Sequence, residues 1–217
     1  MITKYDQKIK ASVEKYLPGV GYLEMARAAV EKAVALPESV HSNSASRLCL
    51  KNVVWSQPFV MGNSESEINI ALFDEHIDGN LGQEIGSIHY EIYSESAAED
   101  ELQIYSQGIA EYRIVEKESQ LDIPALQHQM NHGTVSAEQC YNTFKNMGIS
   151  YGPSHQGITE LYIGQDQLLA KLTLPESVQE SLNDYVLHPS IMDSAVQSAI
   201  GFALDPMKLK VGEEPKV

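Results

Sequence analysis

The chain has 217 residues, 43% apolar and 21% charged, with a net charge of −15, enough for one large or two small soluble domains with a real core. That excess of negative charge argues against phosphate-led binding of nucleic acid and against an anionic membrane surface. Cys49 and Cys140 are too few and too far apart for a metal framework and read as buried free thiols; without a signal peptide or long apolar run, a cytoplasmic location is expected.

Residues 1–12, MITKYDQKIKAS, are polar and weakly patterned and read as an exposed arm or a frayed start. LPGVGYLEMARAAVEKAVAL predicts a helix over 17–36, opened by Pro18, lined on one side by Val20, Leu23, Ala26, Val30, Ala33 and Val34, and ended by Pro37. Tyr22 in this helix is read as core. Strand-like runs follow over 47–60, 67–73, 84–94 and 102–115. In the third, Ile88, Tyr90 and Ile92 share one face, and His89 looks the other way as an exposed or hydrogen-bonded residue. One helix followed by an antiparallel meander that can wrap it gives an α+β layer.

Residues 116–134 read as a polar linker, in which His128 and His132 are weak as a metal pair. Ser136 and Gln139 form a capping box for a helix over 137–147. YGPSHQGI predicts a turn on Gly152 and Pro153 leading into a strand over 158–163, a hairpin at 164–166 and a return over 168–174. PESVQESLND is a loop or short helix. His155, just after the turn, is a candidate to face a substrate.

The last element, LHPSIMDSAVQSAIGFAL over 187–204, reads as a helix entered at Pro189. Ile191, Met192, Ala195, Val196, Ala199, Ile200 and Ala203 give it a broad apolar face, the side expected to be buried. Asp193 and Gln197, one turn apart, interrupt that face. A carboxyl set among apolar residues with an amide to hold it is how a carboxylic acid is kept protonated near neutral pH, as a general acid requires. An acidic residue complementing the helix dipole is the plainer alternative. His188 reads as a hydrogen bonder at the helix entry. The two Pro-led helices are alike, which suggests a duplicated unit, but only the first is followed by four strands. The second would leave a large apolar surface bare, so the chain is expected to stop early or to take its remaining strands from elsewhere.

LPGVGYLEMARAA, YGPSHQGI and LHPSIMDSAVQ, in that order, closely resemble the dehydratase domains of modular polyketide synthases, in the style of systems whose acyltransferase is a separate protein. The resemblance runs from about Glu14 to the C-terminus. It implies a double hot dog, α+β, with the second hot dog incomplete: an N-terminal half over 1–120, a linker over 121–135 and a truncated C-terminal half over 136–217. The implied reaction is removal of water from a 3-hydroxyacyl thioester on an acyl carrier protein. A histidine at the mouth of the first helix takes the α-proton and an aspartate on the second protonates the departing hydroxyl. Asp193 falls on the acid, Gln197 on its hydrogen-bonding partner, Tyr151 on the tyrosine of the YGP turn, and His188 and Pro18 on the lead-ins to the two helices, all beside the substrate. No cofactor is implied beyond the phosphopantetheine that carries the substrate. The implied partners are the acyl carrier protein, other synthase domains and a second copy of the chain.

The base departs from the family pattern HxxxGxxxxP. Counting back from Pro18 places Ile9 on the histidine and Val13 on the glycine, Asp6-Gln7 lie two residues off the usual Asp-His pair, and no histidine precedes His41. Ile149 stands where a tyrosine is common and His155 where an aromatic residue is usual. Isoleucine accepts no proton, and general-base help is worth about 10²–10⁴ in rate. The expectation is therefore a carboxyl that keeps its helical seat and has no imidazole companion. Three functions follow: a dehydratase impaired by the lost base, a non-catalytic structural or docking remnant of a synthase module, or an enoyl-thioester isomerase working with a single acid.

Overall fold

A computed structural model describes residues 2–4, 14–34, 46–61, 67–74, 87–95, 102–114, 120–204 and 206. The chain forms two compact units, one of Met1–Val20 with Gln120–Val217 and the other of Gly21–Ser119. The first unit opens with β1 (Ile2–Lys4) and β2 (Glu14–Tyr16), which pair antiparallel. The beginning of the chain is thus not wholly an arm. Asp6, Gln7, Ile9 and Val13 lie outside the described residues.

The second unit is built on α1 (Gly21–Ala33), followed by β3 (Ser46–Trp55), β4 (Val60–Met61), β5 (Asn69–Asp74), β6 (Ile88–Glu95) and β7 (Leu102–Ile114). The helix starts four residues later than predicted. Pro18 is buried in the loop ahead of it, and the Gly19–Val20 turn separates the two. Val30 meets Ile88 and Ala110 in the core, with Val34, Leu48, Leu50, Leu72 and Tyr112 packed around them. Tyr22 is buried as core, whereas Ala33 is exposed. Burying side chains of this size is worth about 1.5–3 kcal/mol each.

The alternation along β6 holds: Ile88, Tyr90 and Ile92 are buried, and the residues between them are half-buried. The sheet order is β3-β7-β6-β5 rather than a simple meander. β5, β6 and β7 are successive hairpin neighbours, but β3 pairs with β7, the longest strand, from Ser46 opposite Ile114 to Trp55 opposite Ser106. Helix α1 packs on β3, β5, β6 and β7, giving the helix-on-sheet layer of a hot dog.

In the first unit, α2 (Ile123–Gln129) and β8 (Gly133–Ser136) occupy the stretch read as a linker. Asp122 caps α2 by accepting from the Ala125 N–H at 3.0 Å. None of its residues is buried, which is why no apolar period announced it. Helix α3 (Ala137–Asn146) carries the predicted capping box, Ser136 and Gln139 each bonding the other's backbone N–H. Then come β9 (Ile149–Tyr151), a 3-10 turn at Pro153–His155, β10 (Ile158–Ile163), β11 (Leu168–Leu172), a 3-10 segment at Glu176–Ser181, α4 (Pro189–Gln197) and a final 3-10 turn at Ser198–Phe202.

β9 pairs with β1, and β10 lies between β11 and β8. The core here is Val135, Cys140, Ile158, Leu161, Ile163 and Leu204. Helix α4 packs on β10 and β11, so the second hot dog is present with three strands, β11-β10-β8. No described helix is long and apolar enough to cross a membrane.

Candidate active site on the last helix

Helix α4 buries the side that the apolar periodicity did not select. Ser190, Asp193, Ser194, Gln197 and Ser198 are buried, while Ala195, Ala199 and Ala203 are exposed, Val196 is 60% exposed and Phe202 67%. The expected orientation is corrected, and hydrogen bonding explains the reversal. A buried polar stripe is tolerated when each group finds a partner, and the YGPSHQGI segment supplies those partners.

Ser194 Oγ accepts from the Gly157 N–H at 3.0 Å and donates to the Ser190 carbonyl at 2.8 Å. A Cβ on residue 157 would lie 2.5 Å from Ser194 Oγ and 2.9 Å from the Thr173 carbonyl oxygen, so only glycine fits. A Cβ on Gly201 would likewise crowd Leu161, Leu168 and Ile163.

Gln197 is the hub. Its Nε2 donates to Asp193 Oδ2 at 2.8 Å and to the His155 carbonyl at 3.0 Å, while its Oε1 accepts from Tyr141 Oη at 3.2 Å. Tyr141 Oη in turn accepts from the Ile158 N–H at 3.0 Å. Asp193 is 6% exposed. The 3-10 turn, closed by the His155 N–H on the Gly152 carbonyl at 2.9 Å, lays the imidazole beside it. His155 Nδ1 is 3.1 Å from Asp193 Oδ2, and the N–H direction is not aligned on that oxygen. Asp193 therefore does have an imidazole companion, contrary to expectation, although not one that sequence spacing alone could place.

Tyr151 packs edge-on to Phe144 with centroids 4.9 Å apart, and Tyr141 lies 6.2 Å away. Burial, then the nearby Asp193 and Tyr141, pushes the Tyr151 phenol up to about 12. Burial pushes Tyr141 up to about 12 as well, against the lowering effect of its bond from Ile158. These two rings border a cleft of about 510 Å³ with Glu138, Lys145, Gln156 and Ile158; Asp193 does not line it.

His188 is the N-cap of α4, its Nδ1 accepting from the Ser190 N–H at 3.2 Å and its Nε2 lying 3.2 Å from Ser181 Oγ. Since Ser181 Oγ already donates to the Val178 carbonyl, His188 carries its proton on Nε2. Pro18 is not part of this hydrogen-bonded group. His128 and His132 are exposed on the surface, and among the described residues no cluster of three or more His, Cys, Asp or Glu could hold a metal ion.

A buried carboxyl, an amide that can only donate to it and an imidazole at its edge together can hold a proton at a fixed place and pass it on. Comparison with known proteins says what kind of protein carries this arrangement. Residues 119–210 match the family profile described as polyketide synthase dehydratase N-terminal domain, and residues 11–95 match the one described as polyketide synthase dehydratase domain. A crystallised dehydratase domain of a trans-acyltransferase polyketide synthase from Brevibacillus brevis is 40% identical with a TM-score of 0.77, over 91% of this chain and 67% of that one. The chain belongs to the polyketide synthase dehydratase family.

Polyketide synthase PksN of Bacillus subtilis is 42% identical over 209 residues, 96% of this chain, and PksM of the same organism is 39% identical over 190 residues, 87% of it. This dehydratase-family chain spans 3% and 4% of the length of those two large synthases. The dehydratase domain from the CurF module of curacin synthase, 24% identical with a TM-score of 0.72, shares the fold.

Sequence reading of this dehydratase fold singled out Asp193 and Gln197, which are bonded to each other on α4, and Tyr151, which borders the cleft. It missed Tyr141, Ser194 and Gly157. Their signals were present: serines four apart on the helix, and a glycine closing the YGPSHQGI turn where backbone had to approach another element.

Proposed function

We propose that this chain is the dehydratase part of a polyketide synthase module. The reaction of its site is loss of water from a 3-hydroxyacyl thioester on an acyl carrier protein, with Asp193 giving its proton to the departing hydroxyl. The supporting observation is the seat of Asp193: buried, on a helix, with one oxygen held by a Gln197 amide whose direction is fixed by Tyr141. Gln197 and Tyr151 border the acyl chain, with His188 and Pro18 shaping the helix entries. No cofactor takes part beyond the carrier's phosphopantetheine, and the partners are that carrier and the neighbouring synthase domains.

The elimination is impaired as the sequence stands. Ile9 and Val13 occupy the family's histidine and glycine positions. His155 does not replace the base, because acid and base must flank the substrate. At 3.1 Å from Asp193 Oδ2 the imidazole leaves no room for a substrate between them. The same observation favours a second reading, a non-catalytic structural piece of a synthase.

Mass spectrometry of a 3-hydroxyacyl carrier thioester incubated with the protein tests both readings. The expected result is little or no enoyl product, rising at least tenfold when Ile9→His and Val13→Gly are made in the full synthase. A restored protein that stays inert points to the structural piece. Enoyl formation that survives Asp193→Asn undisturbed would remove the proposed acid.

A further inference from the structure

Resting on the reading of Asp193 as the acid, we infer that His155 is its positioning residue. The His155 Nδ1–H donates to Asp193 Oδ2 and, with the Gln197 amide, fills that oxygen, so the transferable proton of Asp193 belongs to Oδ1.

The direction of every hydrogen bond here follows from one backbone group. The Ile158 N–H can only donate, so Tyr141 Oη accepts from it and turns its own proton toward Gln197 Oε1. That fixes the amide. Its NH₂ must face Asp193 Oδ2 and the His155 carbonyl, and a flipped amide would set an oxygen against both acceptors. Among the described residues, both polar approaches to the Asp193 carboxyl fall on Oδ2 and none falls on Oδ1.

His155 Nδ1 is buried and has no aligned hydrogen-bond partner, yet it lies 3.1 Å from Oδ2. Two electron-rich atoms at that distance require a hydrogen between them. The ring torsion χ2 is soft, so rotation about Cβ–Cγ can turn Nδ1–H toward Oδ2. A hydrogen carried by Oδ2 instead would require the Nε2–H ring, which the measurement below detects. The backbone of His155 is held on both sides, its N–H by the Gly152 carbonyl and its carbonyl by the Gln197 side-chain amide. Which nitrogen of a histidine carries the proton is set by the bond the ring makes, and here that bond is to Asp193.

Long-range ¹H–¹⁵N NMR of the full chain, at a pH where the ring is neutral, reads the tautomer directly. His155 is expected as the Nδ1–H form, and Asp193→Ala is expected to return it to Nε2–H with the backbone amide spectrum still dispersed. An Nε2–H ring in the unaltered chain overturns the inference, whether or not the variant folds. So does an Nδ1–H ring that ignores Asp193→Ala.

His155→Asn keeps an amide donor where Nδ1 stands and has nothing at Nε2. It is expected to preserve the Gln197 side-chain NH₂ resonances that His155→Phe shifts; equal shifts in the two variants would show that the donor does not matter. Neither readout needs turnover. A failed dehydration assay therefore leaves this inference standing, and a wrong tautomer leaves the proposed reaction standing.

Discussion

Gly157 and Ser194 meet so closely that the backbone of one is bonded to the side chain of the other: the Gly157 N–H donates to Ser194 Oγ at 3.0 Å, with no space for a methyl group between them. Gly157→Ala is expected to destabilise the protein by about 1–3 kcal/mol, the usual cost of overpacking. Part of the clash is with the Thr173 carbonyl oxygen, 2.9 Å from the added carbon, which cannot swing aside. Urea denaturation measures this, and an unchanged midpoint would mean that α4 yields easily.

Tyr141 and Gln197 should rank in a definite order. Tyr141→Phe leaves the Ile158 N–H without its hydroxyl acceptor and frees Gln197 Oε1, at a cost of about 1–3 kcal/mol for the orphaned donor. Gln197→Leu removes three bonds at once, those to Asp193 Oδ2, the His155 carbonyl and the Tyr141 hydroxyl, so its loss should be the larger. Equal midpoints for the two variants would break the proposed hierarchy.

Alkaline pH should loosen the fold before it ionises the native tyrosines. Burial is the first cause raising Tyr22, Tyr141 and Tyr151, each from 10.0 to about 12. Each phenol is neutral when protonated, so the unfolded chain gives up its protons first. Stability from these groups is whole below pH 10 and is lost as pH rises through about 12. Denaturant midpoints should fall across that window, with tyrosinate absorbance lagging in the native protein. Tyrosinate appearing at ordinary pH without unfolding would contradict it.

The two thiols should react at very different rates. Cys140 is buried, and desolvation pushes its thiol up to about 11, so at pH 8 roughly one molecule in a thousand presents a thiolate there. Cys49 on β3 is only partly buried. A disulfide reagent under native conditions should label one thiol quickly and the second only on unfolding. Rapid labelling of two would place Cys140 elsewhere.

Local pattern made most of the strands and helices legible. β6 alternates as its sequence does, α3 starts at its capping box, and β10 has the predicted bounds. Two features were hidden because they depend on partners far along the chain. Nothing within residues 46–55 says that they pair with β7 rather than β5. Likewise, nothing within α4 says that its serines, Asp193 and Gln197 will find donors and acceptors in the turn after Tyr151. Read alone, Val196 looked inward because apolar residues usually do. Asp193 and Gln197 were readable as a pair from their spacing. The seat of His155 was not, since it is made by the 3-10 turn.

The inward-facing polar stripe of α4 has a mechanical consequence. Oily contacts let neighbouring elements slide, because one methyl group serves nearly as well as the next. This helix is instead pinned by bonds that begin at Ile158 and Gly157 and end on Ser194, Gln197 and Asp193. A shift of even one residue along its axis would break the bonds that cross to Gly157, Tyr141 and the His155 carbonyl together, so the depth at which Asp193 sits is dictated by the elements opposite.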